Sequence, residues 1–312
     1  MQIHIMRSFA AACLVSSAAW FATEAPSTAA SKEQKKQQQH PPSLSSRAER
    51  CAVEATPADQ LVLIEQASSS TRDAGGVVTI PVYWHIVTTT SGDGNVASLV
   101  PAQMQVLRDA FAGSKFAFDL KTVEVIVNNA WYSADLGSAD EVAMKNALRK
   151  GGPESLNIYT TDGDLYLGWA TLPFFYKFGP SYDGVVLWWA ALPGTGLAGT
   201  TPEEPDGVLT YDQGDTGTHE VGHWLGLEHT FGPGTGACTT PGDFIKDTPV
   251  EAEPHFFCVQ RDSCVGSPFP GDDPITNFMD YVDDVCMDNF TAEQTKRMRK
   301  HWHAFRDKKT RN

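Results

Sequence analysis

Residues 218–231 read THEVGHWLGLEHTF, and the fixed offsets within that run constrain this chain more than any other feature. His219 and His223 stand four apart. An α-helical turn takes about 3.6 residues, so both imidazoles lie on one face of a helix and converge on a single cation. Glu220 points about 100° further round that helix. From there its carboxylate reaches a metal-bound water without being a ligand itself. Gly226 follows three residues after His223 and tolerates positive φ, which predicts a helix end and a sharp turn. His229, three residues further on, then returns as a third ligand. Three histidines leave a fourth position for water, as a catalytic zinc site requires. Zinc lowers that water's pKa, and the carboxylate takes its proton as it attacks a carbonyl. A helix with two ordinary histidines accounts for His219 and His223, but not for Glu220, Gly226 and His229 at their offsets. A purely structural zinc site leaves Glu220 in the base position unexplained.

The rest of the chain supplies a setting for such a site. The first residues, MQIHIMR, carry one positive charge and lead into the apolar, small-residue run SFAAACLVSSAAWFA. This reads as a secretory signal over residues 1–25, with cleavage points between Ala19 and Ala30. The tract SKEQKKQQQHPPSLSSRAER is too poor in apolar residues to offset ordering entropy, so disorder is expected there. PADQLVLIEQASSS reads as one short amphipathic helix, and the folded domain is expected from residue 73 onward. VVTIPVYWHIV has strand character, and Pro81 suggests an edge or a strand start. VPAQMQVLRDAFAGSKF and SADEVAMKNALRKGG read as helices, and FDLKTVEVIVNNAWY, ESLNIYTTD and YDGVVLWWAAL as strands. Beyond Gly232 regular patterning stops until a last helix that starts at Thr291, with Gln294 placed for a capping box. Mixed strands and helices followed by a loop-rich half give an α+β outline.

The motif HExxHxxGxxH resembles that of the metzincin metalloproteases. TNFMDY supplies Met279 where the clan keeps a methionine turn beneath the zinc, and Tyr281 where several members keep a tyrosine. YDQGDTGTHEVGHWLGLEHTF, KDTP and NFMDYVDDVCMDNFTAEQTKRMR together resemble the pappalysin family, particularly its secreted fungal metalloproteases. The resemblance is dense from about Ser155 to Trp302 and fades before Val77. It implies zinc ligation by His219, His223 and His229, Glu220 as general base, and Met279 as the apolar floor. Tyr281 would stabilise the oxyanion or swing onto zinc; a purely structural hydroxyl is the alternative. The implied fold has an upper subdomain to about Gly226, with a twisted sheet and the zinc helix at its edge. An irregular lower subdomain would begin at about Leu227, with an extended substrate in the cleft between.

Six cysteines complete the reading. Cys13 lies within the signal. Cys238, Cys258, Cys264 and Cys286 fall in the loop-rich half, where a secreted protein needs cross-links, and spacing alone leaves three pairings open. The family resemblance implies Cys238–Cys264 and Cys258–Cys286; a second metal site through His255 and Cys258 is the sharper alternative. Cys51 is left over. A thiolate is a strong zinc ligand and would displace the catalytic water, so Cys51 is read as a cysteine switch on a pro-segment spanning residues 26–72. Some pappalysin relatives use such a thiol, followed by glycine; here Ala52 follows. An intermolecular disulfide, or a bond from Cys51 to the catalytic domain, is the alternative.

Net charge is −14, which argues against a nucleic-acid or anionic-membrane partner. The acidic runs GDFIKDTP and PGDDPITNFMDYVDD are candidates for structural calcium, without EF-hand spacing; solvated acidic loops are the alternative. Asn289 opens an N-x-S/T sequon, a site for one N-glycan. The expected activity is that of a secreted zinc endopeptidase acting on proteins or peptides. A zinc amidase acting on a non-protein substrate, and an inactive binding protein on the same fold, are the alternatives. Oligomeric state is not legible.

Overall fold

Among the described residues there are six strands, most built from β-branched and aromatic runs: β1 (Glu49–Cys51), β2 (Val78–Thr88), β3 (Phe116–Val127), β4 (Leu156–Thr161), β5 (Tyr166–Ala170) and β6 (Val185–Trp188). They form one sheet in the order β1-β5-β6-β4-β2-β3. Every pairing is parallel except β5 with β6. The computed structural model describes residues 49–53, 56–69, 71, 73, 75–163, 165–196, 211–232, 238, 242–266 and 268–307. The expected signal peptide and its cleavage region lie outside the described residues.

β2 is an interior strand, not the edge strand that Pro81 suggests. It pairs with β3 on one side and β4 on the other. The β4 ladder begins at Val82, so Pro81 lies before it, where a missing N–H breaks nothing, and the register against β3 shifts just afterwards at Val82/Tyr83. β5 has no counterpart in the sequence reading. Glu49 and Arg50, grouped there with the disordered tract, belong to β1.

Among the described residues six α-helices accompany the sheet: α1 (Ala58–Ser69), α2 (Val100–Ala110), α3 (Asn129–Tyr132), α4 (Ala139–Leu148), α5 (Asp215–Trp224) and α6 (Ala292–His301). Ser138 caps α4 through the Glu141 amide, and Thr291 with Gln294 forms a full capping box on α6. Trp84 and Ile86 of β2 pack against Met104 and Leu107 of α2 and Val221 and Trp224 of α5, with Met279, Met298 and Trp302 closing the same core. Each large side chain buried there contributes about 1.5–3 kcal/mol. Every residue of α5 is buried, so this helix is gripped on all sides. The lower half has little regular structure and is braced by Cys238–Cys264 and Cys258–Cys286. Among the described residues, no helix is long and apolar enough to cross a membrane.

Candidate active site

His219 and His223 project from one face of α5, which runs on to Leu225 and stops. Gly226 adopts φ +105°, and a Cβ there would collide with the His301 ring, so only glycine allows the turn that brings His229 back. His223 Nε2 lies 3.1 Å from His219 Nε2 and 3.0 Å from His229 Nε2. In two of the three the other ring nitrogen is committed to a carbonyl: His219 Nδ1 lies 2.7 Å from the Phe278 oxygen and His223 Nδ1 2.8 Å from that of Leu227. Those bonds fix Nδ1 as the protonated nitrogen and turn the bare Nε2 atoms inward. Burial holds the His223 ring down at about 4 and pushes His219 and His229 well below the usual imidazole range, so all three are neutral.

Cys51 joins them. One ligand atom from each of Cys51, His219, His223 and His229 lies within 4.8 Å of all the others, and all four residues are buried. Converging lone pairs repel unless a cation sits among them. A tetrahedral zinc with Zn–N of about 2.0–2.1 Å would place its nitrogens ~3.3 Å apart, close to the observed spacing. The donor set therefore fits zinc with three imidazoles and one thiolate. Among the described residues this is the one such convergent group.

Glu220 lies beside this cluster, fully buried, with the Cys51 thiol against its carboxylate. Burial pushes its carboxyl up to about 8, against weaker opposing pulls from the Cys51 thiol and Arg50. Met279 lies below α5, where a Cβ on Gly222 would strike its sulfur. The Tyr281 ring stands 5.8 Å from that of His219 and 5.0 Å from that of His229, and its hydroxyl donates to the Cys51 carbonyl at 3.0 Å.

The segment that carries Cys51 enters as an added strand. β1 runs parallel to β5, with Glu49 opposite Tyr166 and Cys51 opposite Gly168, and the Ala52 amide donates to Gly168 at 3.2 Å. Arg50, absent from the sequence reading, fills a closed pocket. Its guanidinium donates to the Val282 carbonyl and to Asp284 at 3.0 Å, and lies 4.6 Å over the Tyr211 ring. Burial raises both Asp284 and Asp215, with repulsion from Asp283 adding to the first and from Asp284 to the second, and Arg50 pulls both down. Further along, Thr56 donates to Glu228 at 2.7 Å. On α1, Leu61 and Ile64 are buried, and Glu65 meets Arg297 at 3.2 Å and His301 at 3.3 Å.

Cys258 is bonded to Cys286 and His255 Nε2 lies on the Val259 carbonyl, so the alternative metal site through His255 and Cys258 does not form. Three of the acids considered for calcium have protein partners: Asp243 accepts from Thr248, Asp247 from Thr291 and the Glu293 amide, and Asp273 from Arg261 and Ser263. Asn289 is half-buried and donates to Thr276 at 2.7 Å.

A mixed sheet above a three-histidine helix, with a methionine floor and a loop-rich lower half, defines a metzincin-type metalloprotease fold. The family model described as Peptidase M43, pregnancy-associated plasma protein-A, matches residues 207–303. An extracellular metalloprotease of Colletotrichum graminicola is 40% identical over 247 residues, covering 77% of this chain and 81% of that one. Among solved structures, a promirolysin mutant of Tannerella forsythia superposes with TM-score 0.65 at 25% identity, covering 84% of this chain and 96% of that one. Mature mirolysin in complex with a cleaved peptide superposes with TM-score 0.57 at 26% identity, over 75% of this chain and 99% of that one. The chain belongs to the pappalysin family of metalloproteases.

Proposed function

We propose that this chain is a secreted zinc endopeptidase held latent by its own N-terminal segment. Residues 1–25 would direct export, residues 26–72 would form the pro-segment, and residues 73–312 the catalytic domain. The relatives named extracellular metalloproteases support the export reading. The observation that carries the proposal is the convergence of Cys51, His219, His223 and His229 beside the buried carboxylate of Glu220.

Bound by the three histidines, zinc supplies a Lewis acid that polarises the scissile carbonyl and lowers the pKa of water. Glu220 moves the proton: it accepts one from the attacking water and returns it to the leaving amine. In the latent chain Glu220 is sealed from solvent, and removal of Cys51 opens it to water and returns it toward the ordinary carboxylate range. Tyr281, released from the Cys51 carbonyl, then points a hydroxyl toward the developing oxyanion.

Substrate would replace β1 on the free edge of β5, where backbone hydrogen bonds hold any extended peptide and pockets select side chains. The pocket of Arg50 would then take a basic side chain, with Asp284 as its counter-charge and the Tyr211 ring beneath it. An endopeptidase needs such an open-ended strand site, and the solved relative in complex with a cleaved peptide supports a peptide as substrate. A glycan on Asn289 would lie just ahead of α6.

Digestion of a denatured protein tests the proposal. The processed enzyme should cleave it, lose activity to a zinc chelator, regain activity with added zinc, and be inactive as Glu220→Ala. Proteolysis by the Glu220→Ala protein would overturn the mechanism. A correctly processed, zinc-loaded wild type that cleaves nothing would point to a binding protein instead.

A further inference from the structure

The last carbonyls of α5 need partners, because a helix leaves its final turn unpaired. Local amides take three of them: Leu225 donates to Val221, Gly226 to His223, and Leu227 to Gly222. The carbonyl of Trp224 is taken from 82 residues away by Arg306, whose Nε donates to it at 2.8 Å.

Arg306 is fully buried at the end of a π-turn, Trp302–Arg306, that follows α6. That wider turn differs from the α-helix before it and sets the direction in which the side chain leaves the chain. The remaining guanidinium donors reach the Pro153 carbonyl at 3.1 Å, the Thr171 carbonyl at 3.3 Å, and both oxygens of Asp183 at 3.0 and 3.2 Å. Its flat face lies 3.6 Å over the Trp224 ring. Trp224 also donates through Nε1 to Asp183 at 3.3 Å. One residue of α5 is therefore held by its carbonyl, its ring face and its indole N–H, all through the Arg306–Asp183 pair. A fork-shaped cation is the one side chain able to do this, since it donates in a plane while stacking on a ring.

We propose that Arg306 is a positioning residue for the metal centre. The residue it clamps directly follows His223, and the same turn leads through Gly226 to His229. Two of the three imidazoles thus take their spacing from a helix end that Arg306 fixes in rotation and in height. A cation at this helix terminus also satisfies the partial negative charge that collects there. Arg149 provides an internal control: it meets the same Asp183 at 3.1 Å, but its other bonds go to Gly151 and Gly152, not to α5.

This inference rests on the zinc reading above, and one set of titrations separates the two. Zinc affinity is measured on the full-length latent protein by competition with a chelating dye. Tight binding by wild type, lost in His223→Ala, establishes the metal site; no binding by wild type would sink that reading and this inference with it. Arg306→Met should weaken zinc binding by about 10–100-fold, as loss of a supporting contact behind a ligand does. Arg306→Lys, which keeps the charge but not the fork, should fall between. Arg149→Met should lower the melting temperature without lowering the affinity. Wild-type affinity in Arg306→Met, or an equal loss in Arg149→Met, would overturn the proposal. If Arg306→Met does not fold, Arg306→Lys decides: affinity no weaker than that of Arg149→Met would overturn it.

Discussion

Replacing Arg50 with alanine should loosen the hold on Cys51 without touching the metal ligands. Arg50 and Asp284 lie 3.0 Å apart, with side chains 2% and 0% exposed. Removing one partner of such a buried pair costs about 3–5 kcal/mol, because the other charge stays behind uncompensated. Only the docked segment feels that cost, since in the open cleft Asp284 is hydrated. At about 1.4 kcal/mol per factor of ten, the docking equilibrium shifts by roughly 10²–10³. The lower end is expected, because Asp284 is already raised by burial and relieves part of the penalty by taking a proton. Cys51 is the free cysteine among the described residues, so its rate of reaction with a thiol reagent reports undocking directly. The secreted, unprocessed Arg50→Ala protein should react ~100-fold faster than wild type and gain activity in parallel. An unchanged rate in a folded Arg50→Ala protein would refute the assignment of Arg50 as the segment's main anchor.

Other consequences follow from the same residues. Asp284→Asn in the processed enzyme should lower kcat/KM for peptides with Lys or Arg at the cleavage site by about 10–100-fold, with little change for neutral peptides, as expected when a buried counter-charge is lost; equal losses for both would dismiss the pocket. Glu65→Lys should detach α1 from Arg297 and His301 and speed hydrogen exchange in residues 58–69, while Cys51 stays protected. Burial pushes Asp243 up to about 7, and Glu251 and Asp280 are raised in the same way. A carboxyl raised above its unfolded value of about 4 favours the fold while protonated, and that contribution is lost as pH rises through the folded value. Below about pH 6.5 the depressed histidines, His219, His223, His229 and His301 among them, oppose this by favouring the fold as pH rises; above it they are neutral in both states, so the melting temperature should fall between about pH 6.5 and pH 8, and a rise there would contradict the burial of these acids.

The grouping of the three candidate histidines was legible in the sequence because helical spacing and a glycine turn are local properties. His219, His223, Gly226 and His229 need only each other, and α4 and α6 announce themselves through Ser138, Thr291 and Gln294 in the same local way. Contacts across the chain were not legible. β5 is short and interrupted by Gly168, and its strand identity comes from pairing with β6 and β1. Pro81 reads as an edge signal because sequence does not say where a neighbouring ladder begins. Arg50 sits in a polar tract and gains its meaning only from Asp284, 234 residues away. Arg306 reads as one more cation in a basic tail, and its burial depends on Asp183 and Trp224. Cys51 stood between these cases: its leftover status was visible in the sequence, but its approach to the histidines required the fold.

Zinc-edge X-ray absorption on the unprocessed protein tests the capped metal centre most directly. One sulfur at about 2.3 Å and three nitrogens at about 2.0–2.1 Å are expected, with the sulfur replaced by oxygen after processing or in Cys51→Ala. A spectrum of nitrogen and oxygen alone from the intact chain would show that Cys51 does not hold the metal, and would contradict the proposed latency.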